Sequence, residues 1–409
     1  MNFKELIKKH DFLIIILFAY TALLFLHFNG LTHDWPTMGD NYYDVTLSIV
    51  KGTGLNKTEI FNECKSFYEQ NITLPLECKR HGFSQGLDAI YPTYPPGLSF
   101  LAVPYFFIVN LFNLPEFLEL SSLVFFNVLI STVLLFYIFK FSKLYTNEKN
   151  AKQITYIFAF GTIILTYSQT FCSDTLAALL MLAGFYYFKL FLMKKDYKNI
   201  AFSGLFFGYL FLTKIVLLVF PGIIGLYLLF KDKKAAVILG LCALITAMPG
   251  MIYNHLLFGS IMTTGYSSVY DTNFLVSDAS FAYFSNNIFI GSIVFLFGFL
   301  IHNLFILYSL KKLFEKSTES IFLLIFFIIT ILLFGMWVNH FGNWCFGPRL
   351  QLYMVCLLSV PFANSYEKIR KNKYFKTLLI ISIIIALLSQ NFYFWNIETN
   401  LVDYLVSFY

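Results

Sequence analysis

The sequence predicts an all-α, polytopic transmembrane helical protein with about eleven spans, and three observations carry that expectation. Apolar runs of about 18 residues or more recur from one end of the 409-residue chain to the other, each long enough to cross a hydrocarbon core of ~30 Å. Charged residues make up only 13%, against roughly a quarter in soluble domains, and the mean hydropathy is +0.69. Lysines and arginines gather in short clusters between the apolar runs, the positive-inside pattern of cytoplasmic loops. A membrane barrel would instead show ~10-residue segments of alternating hydrophobicity, which are absent.

The elements follow in order from those clusters. The segment MNFKELIKKH is expected to be cytoplasmic and uncleaved, since no small-residue cleavage site follows and the apolar run exceeds a signal's length. Span one covers about 12–30, and residues 31–117 form a first outside loop. Spans two to seven are expected at 118–139, 153–171, 174–193, 199–214, 217–230 and 235–257; the fifth and sixth are short enough to be tilted or held among neighbours. A second outside loop, 258–285, precedes spans at 286–309, 318–338, 350–366 and 377–395, which leaves the carboxyl tail outside. No period of 20–50 residues points to a repeat architecture. Residues 1–409 therefore read as a single transmembrane domain, with no room for a further soluble one.

The net charge of +6 is a topology signal, and it excludes nucleic acid as the partner. Of 29 basic residues, 22 lie in the inside clusters at 4–9, 140–152, 189–198, 231–234, 311–316 and 368–376. Lys51, Lys57, Lys65, Lys79 and Arg80 fall in the first outside loop, where long loops obey the rule poorly. Two remain: Lys214 in LFLTKIVLLVFPG and Arg349 in GNWCFGPRL, both at the outer end of a helical hairpin. A charge at mid-span costs ~2.5–3.5 kcal/mol on insertion scales. Snorkelling to outer headgroups is one reading; an anion in an outward-facing pocket is the other, favoured because both residues share a side with Asp40.

The outside stretches are rich in functional side chains. GDNYYDV, 39–45, places Asp40 and Asp44 just beyond span one, four residues apart and on one face if the segment is helical. YPTYPPGLSFLAVP, 91–104, carries Tyr91, Tyr94 and prolines that oppose a continuous helix, as in a re-entrant or surface-lying segment at the outer interface. YSQTFCSDTLAALL puts Asp174 at the mouth of span four, where a helix-capping role and a site role are equally open. YNHLLFGSIMTTGY brings Tyr266, and WVNHFGNWCFGPRL brings His340 and Trp344 close to Arg349. The three tyrosines suit sugar stacking, contact with a lipid chain or interface anchoring alike.

Metal signals are weak: seven scattered histidines, no HExxH and no CxxC. Cys64 and Cys78 share the first outside loop, a compartment that permits a disulfide between them. Cys172, Cys242, Cys345 and Cys356 lie in or near spans and read as small apolar residues. NKT at 56–58 and NIT at 71–73 are outside glycosylation sequons, meaningful only in a host that glycosylates them.

Asp in the loop after helix one, YPPG…P, SDT, TK, YN…FGS…TGY and GPRL occur in this order and on one predicted side. Together they resemble the GT-C superfamily of membrane glycosyltransferases, most closely the branch similar to protein O-mannosyltransferases and lipid A aminoarabinose transferases. The resemblance covers roughly 30–365. It implies a GT-C-like helical fold with interfacial helices in the first outside loop. It also implies a sugar donor linked to polyprenyl phosphate, and Asp40 as the base of an inverting transfer. On that basis Lys214 and Arg349 would bind the donor phosphate, with Asp44, Tyr91, Tyr94, Asp174, Tyr266 and His340 as acceptor or donor contacts. The acceptor would be a lipid, glycan or protein, and the site extracytoplasmic in a multi-pass plasma-membrane protein. In the mannosyltransferases the base is commonly followed by Glu; Asn41 stands there in this chain, which leaves the acceptor class open. No cofactor is called for with certainty, and a divalent cation is compatible with the carboxylates. No Gly-rich phosphate loop is present to cradle a nucleotide.

Two other classes stay open. A transporter or flippase of lipid-linked sugars would show repeat symmetry and ionisable groups deep in mid-span, whereas these charges gather at one face. A non-catalytic scaffold would not need Asp40, Lys214 and Arg349 together.

Overall fold

The computed structural model describes residues 10–27, 38–52, 66, 69–70, 83–85, 87, 90–265, 288–335 and 349–389. In chain order the helices are α1 (Asp11–His27), α2 (Met38–Lys51), α3 (Gly97–Asn110), α4 (Glu116–Ser142), α5 (Glu148–Gly161), α6 (Ile164–Ser168), α7 (Ser173–Lys194) and α8 (Tyr197–Thr213). They continue with α9 (Val219–Lys231), α10 (Lys233–Phe258), α11 (Ile288–His302), α12 (Leu307–Leu310), α13 (Thr318–Gly335), α14 (Leu352–Leu357), α15 (Ser359–Ile369) and α16 (Lys373–Leu388). Between α2 and α3 a short antiparallel hairpin, β1 (Phe83–Gln85) and β2 (Ile90–Pro92), pairs Phe83 with Pro92 and Gln85 with Ile90.

Helix lies among the described residues of every one of the eleven expected windows. Among the described residues four helices are long and apolar enough to cross a membrane: 121–142 of α4, α7, α10 and α13. A fifth appears only if α11 and the helical stretch 304–314 count as one span. That pair is bent by 97°, so the continuous span expected at 286–309 is broken. At the break, His302 and Asn303 turn their side chains onto the carbonyls of Gly298 and Phe299, at 2.7 and 3.0 Å. Such back-bonding competes with the helix ladder. Thr162 does the same to Phe158 O at 2.6 Å where 153–171 divides into α5 and α6. Pro361, which donates no backbone bond, sits one turn past the division of 350–366 at Leu358.

A membrane setting explains the surface. α10 has a mean hydropathy of 2.2, yet only 22% of its apolar window is buried. Val237, Leu241, Leu244, Ile245, Met248 and Ile252 are all exposed, an apolar face that only lipid satisfies. The protein is a multi-pass membrane protein.

The short basic connections are capped turns. Asn147, Asp196, Asp232 and Asn372 precede α5, α8, α10 and α16, and each side chain accepts a backbone N–H of the helix it starts. Each satisfies donors that a helix start leaves orphaned.

The chain divides into two compact units: residues 1–31, 127–170 and 283–409 form unit I, and 32–126 and 171–282 form unit II. Unit I has an aromatic centre in which Phe158, Phe305 and Phe362 meet edge-on at 5.3–5.7 Å. In unit II the nearly enclosed α7 packs on α8, and α8 on α10. Gly204 and Gly208 let α8 and α10 approach, since a Cβ on Gly204 would meet Leu239 O at 2.5 Å. This is the small-xxx-small contact of membrane helices.

Candidate active site

Unit II holds most of the described site residues. α2 carries GDNYYDV, with Asp40 in its first turn and Asp44 one turn on. The helix is pinned through both tyrosines between them. Tyr42 is 3% exposed, and its hydroxyl donates to Ser173 Oγ at 2.8 Å. Ser99 Oγ, from α3, donates to the Tyr42 carbonyl at 2.9 Å. The Tyr42 ring lies 5.9 Å from that of Tyr94 and 6.3 Å from that of Phe171. Burial pushes the Tyr42 phenol well up, so it remains a proton donor across the working pH range. The hydroxyl of Tyr43 donates to Glu119 Oε2 of α4 at 3.2 Å. Glu119 in turn pairs with Lys51, at the end of α2, at 3.6 Å.

Ser173 opens α7, and the next residue is Asp174. The capping role weighed for Asp174 is not what the structure shows. Cys172 is the cap residue and makes no side-chain cap bond, while Asp174 lies inside the first turn. Its carboxylate, 1% exposed, accepts from Lys214 Nζ. Lys214 sits where α8 ends: its own N–H closes on Leu210 O, after which the chain changes to a 3-10 turn at Ile215–Leu218. With its side chain 17% exposed, Lys214 is neither a lone cation nor a snorkelling one. A carboxylate at a helix start is also favoured by the helix dipole.

The proline segment differs from its expected form. Pro95 and Pro96 do precede a helix start, but α3 then runs continuously through Pro104. Tyr91 belongs to β2, with its ring 6.1 Å from Phe258. Tyr94 lines a narrow cleft with Pro95, Tyr253, Asn254 and Thr264. Gly265 is required beside it, because a Cβ there would fall 2.6 Å from the Thr93 backbone.

The structure thus brings together Asp174 with Lys214, and Tyr42 with Tyr94 and Ser173. Arg349 belongs to unit I, where it begins the turn Arg349–Gln351 that leads into α14. Tyr266, His340, Trp344, Cys64 and Cys78 lie outside the described residues. Among the described residues no three His, Cys, Asp or Glu side chains lie together as a metal set. Reasoning from sequence had not assigned Tyr42, Ser173 or Glu119. The first two adjoin residues that it did single out, and that adjacency was the available signal.

The comparisons agree with the architecture. The family pattern described as dolichyl-phosphate-mannose-protein mannosyltransferase matches residues 102–253. No curated protein matches the chain in sequence. Among solved structures, the oligosaccharyltransferase of Archaeoglobus fulgidus in complex with Zn and sulfate is similar over 93% of this chain and 53% of its own, at 12% identity and a TM-score of 0.53. Its apo form is similar over 97% of this chain and 56% of its own, at 12% identity and a TM-score of 0.53. The archaeal oligosaccharyltransferase AglB from the same organism, with an inhibitory peptide and a dolichol-phosphate, is similar over 96% and 56%, at 12% identity and a TM-score of 0.52. The chain spans little more than half the length of these structures. Its resemblance to GT-C membrane glycosyltransferases is shown, and at this identity the likeness to the solved structures is one of fold.

Proposed function

We propose that the chain is an integral membrane glycosyltransferase. It moves a sugar from a donor linked to polyprenyl phosphate, of the dolichyl phosphate type, to an acceptor on the extracytoplasmic face. The supporting observation is the pinning of α2, the helix of Asp40, to the start of α7 beside the Asp174–Lys214 pair. The family match over 102–253 and the dolichol-phosphate named with the AglB structure favour the same donor class.

The chemistry is one inverting displacement. The acceptor oxygen forms a bond to the anomeric carbon while the bond from that carbon to the phosphate oxygen breaks. Asp40 takes the acceptor's proton, and polyprenyl phosphate leaves as an anion. No second carboxylic acid is needed to protonate such a leaving group, unlike the paired carboxylates of glycosidases. What it needs is positive charge on its oxygens as the bond breaks. An ammonium has three donors; Lys214 gives one to Asp174 and offers the others to the phosphate. Arg349 is the second phosphate ligand of this reading, since a guanidinium suits bidentate contact. Tyr91, Tyr94 and Tyr266 are the stacking surfaces, and Asp44 and His340 are further contacts. The transferred group is a hexose or a pentose, and the acceptor a lipid, glycan or protein.

We place the amino terminus in the cytoplasm, with eleven crossings of the plasma membrane and the site facing outward. Zn in one similar structure makes a divalent cation a candidate participant. Asp44 is the carboxylate we assign to help hold it, and no step above runs through it. The test uses purified protein and a panel of lipid-linked sugars. Asp40→Asn, inserted and folded as the wild type, should lose at least 100-fold in turnover, and near-normal transfer by that variant overturns the mechanism.

A further inference from the structure

α2 presents two consecutive tyrosines, about 100° apart around the helix, and their contacts differ in kind. Tyr43 reaches α4, where its hydroxyl donates to Glu119. Tyr42 reaches the first residue of α7, next to the carboxylate that holds Lys214. Four further contacts enclose Tyr42: the bond from Ser99 to its carbonyl, the bond from Thr46 Oγ1 to the same carbonyl at 2.6 Å, and the rings of Tyr94 and Phe171. The aromatic body is already held by packing, so the hydroxyl is not needed to keep the ring in place. What the hydroxyl adds is a directional link between two pieces of chain more than 130 residues apart in sequence.

We infer that Tyr42 is a positioning residue, whose bond to Ser173 sets the turn of α2 carrying Asp40 in register with the Asp174–Lys214 pair at the start of α7. This rests on the reading of Asp40 as base and Lys214 as phosphate ligand. Asp40 lies half a turn before Tyr42, so rotation or sliding of α2 moves both together, while Ser173 and Asp174 are adjacent in the first turn of α7. One hydrogen bond therefore links the position of the proton acceptor to that of the cation. An in-line displacement is sensitive to such register, since a misplacement of ~1 Å costs on the order of 100-fold.

The test measures kcat and KM for a lipid-linked sugar that the wild type uses, in Tyr42→Phe, Ser173→Ala and the double variant, together with thermal unfolding in detergent. Tyr42→Phe keeps the ring and removes only the donor. The expected result is a fall in kcat of about 10- to 100-fold with donor KM within about twofold, and little change in melting. A change confined to kcat marks an interaction that matters in the transition state. Ser173→Ala should give a similar fall, and the double variant no further one, because both remove the same bond. Unchanged kcat in Tyr42→Phe, or a fall matched by a proportionate loss of folded protein, overturns the inference and leaves the transferase reading standing. Additive losses in the double variant overturn it too. A wild type that transfers sugar from no donor of the panel fails at the earlier step, and both readings go together.

Discussion

The Asp174–Lys214 pair makes a sharp prediction, because its two members differ in their access to water. Asp174 is 1% exposed and Lys214 17%. Removing one partner of a buried pair costs about 3–5 kcal/mol, chiefly from the charge left behind. Asp174→Asn leaves an ammonium on a flexible stem that can reach water, so its cost belongs at the lower end, about 3 kcal/mol. Lys214→Met leaves a carboxylate sealed at the start of α7, and its cost belongs at the upper end, about 5 kcal/mol. Replacing both charges together removes desolvation and attraction alike, and such replacements are often neutral. For a unit of roughly 200 residues, 1 kcal/mol moves the melting temperature by about 2–4 °C. The expected losses are therefore about 6–12 °C for Asp174→Asn and about 10–20 °C for Lys214→Met, with the double variant near the wild type. Circular dichroism melts in one detergent give all four corners of the cycle. If the losses in the double variant simply add, the two side chains are not coupled and the assignment of the pair is refuted.

Other expectations follow from single contacts. Gly208→Val should prevent α8 and α10 from docking, because its side chain would enter the Ala243 carbonyl and the Thr246 hydroxyl; size-exclusion profiles should show loss of monodisperse protein. Gly222→Ala is its control, since a Cβ there meets nothing within 4 Å, and the melting temperature should hold or rise. In unit I, Tyr145 donates to the buried carboxylate of Glu319, and burial together with that charge pushes its phenol well up. The folded state then keeps a proton that the unfolded state loses above pH 10, so this contribution is intact below pH 10 and declines above it. Tyr145→Phe should make the fall in stability above pH 10 shallower by about 1.4 kcal/mol per pH unit; an unchanged slope would show that the phenol ionises normally.

What the sequence disclosed and what it hid divide along a physical line. Helix positions were legible because apolar runs and basic clusters are local properties, and every window holds helix. Breaks at Thr162, Asn303 and Leu358 were not, because they fall inside runs whose hydropathy never drops. Pro104 shows the opposite error: it reads as a break, yet α3 passes through it. In the site, Asp174 and Lys214 were each visible as charges in apolar sequence, while their pairing across 40 positions was not. Tyr42 was hidden by composition, being one of 27 tyrosines in the chain.

If Lys214 is a phosphate ligand, as proposed, that pairing changes how the site handles an anion. A bare ammonium in apolar surroundings would attract phosphate strongly whether or not a sugar were attached. A carboxylate in contact removes most of that attraction at a distance, because the field of a neutral pair falls off faster than that of a charge. What survives is short-range: the remaining ammonium donors still reach an oxygen brought within hydrogen-bond distance. On that reading Lys214 discriminates by contact more than by charge. It favours a phosphate delivered in register by the rest of its ligand over one that diffuses in freely, and it lets the departing polyprenyl phosphate leave more easily. Turnover by a transferase needs that last property, since the product of each cycle carries more negative charge on its phosphate than the donor did. Replacing Asp174 with Asn should then show its effect as tighter retention of polyprenyl phosphate. Product inhibition by added polyprenyl phosphate, compared in the wild type and the variant at a temperature where both are folded, measures it. Weaker inhibition in the variant would mean that Asp174 holds Lys214 toward the phosphate and does not restrain it.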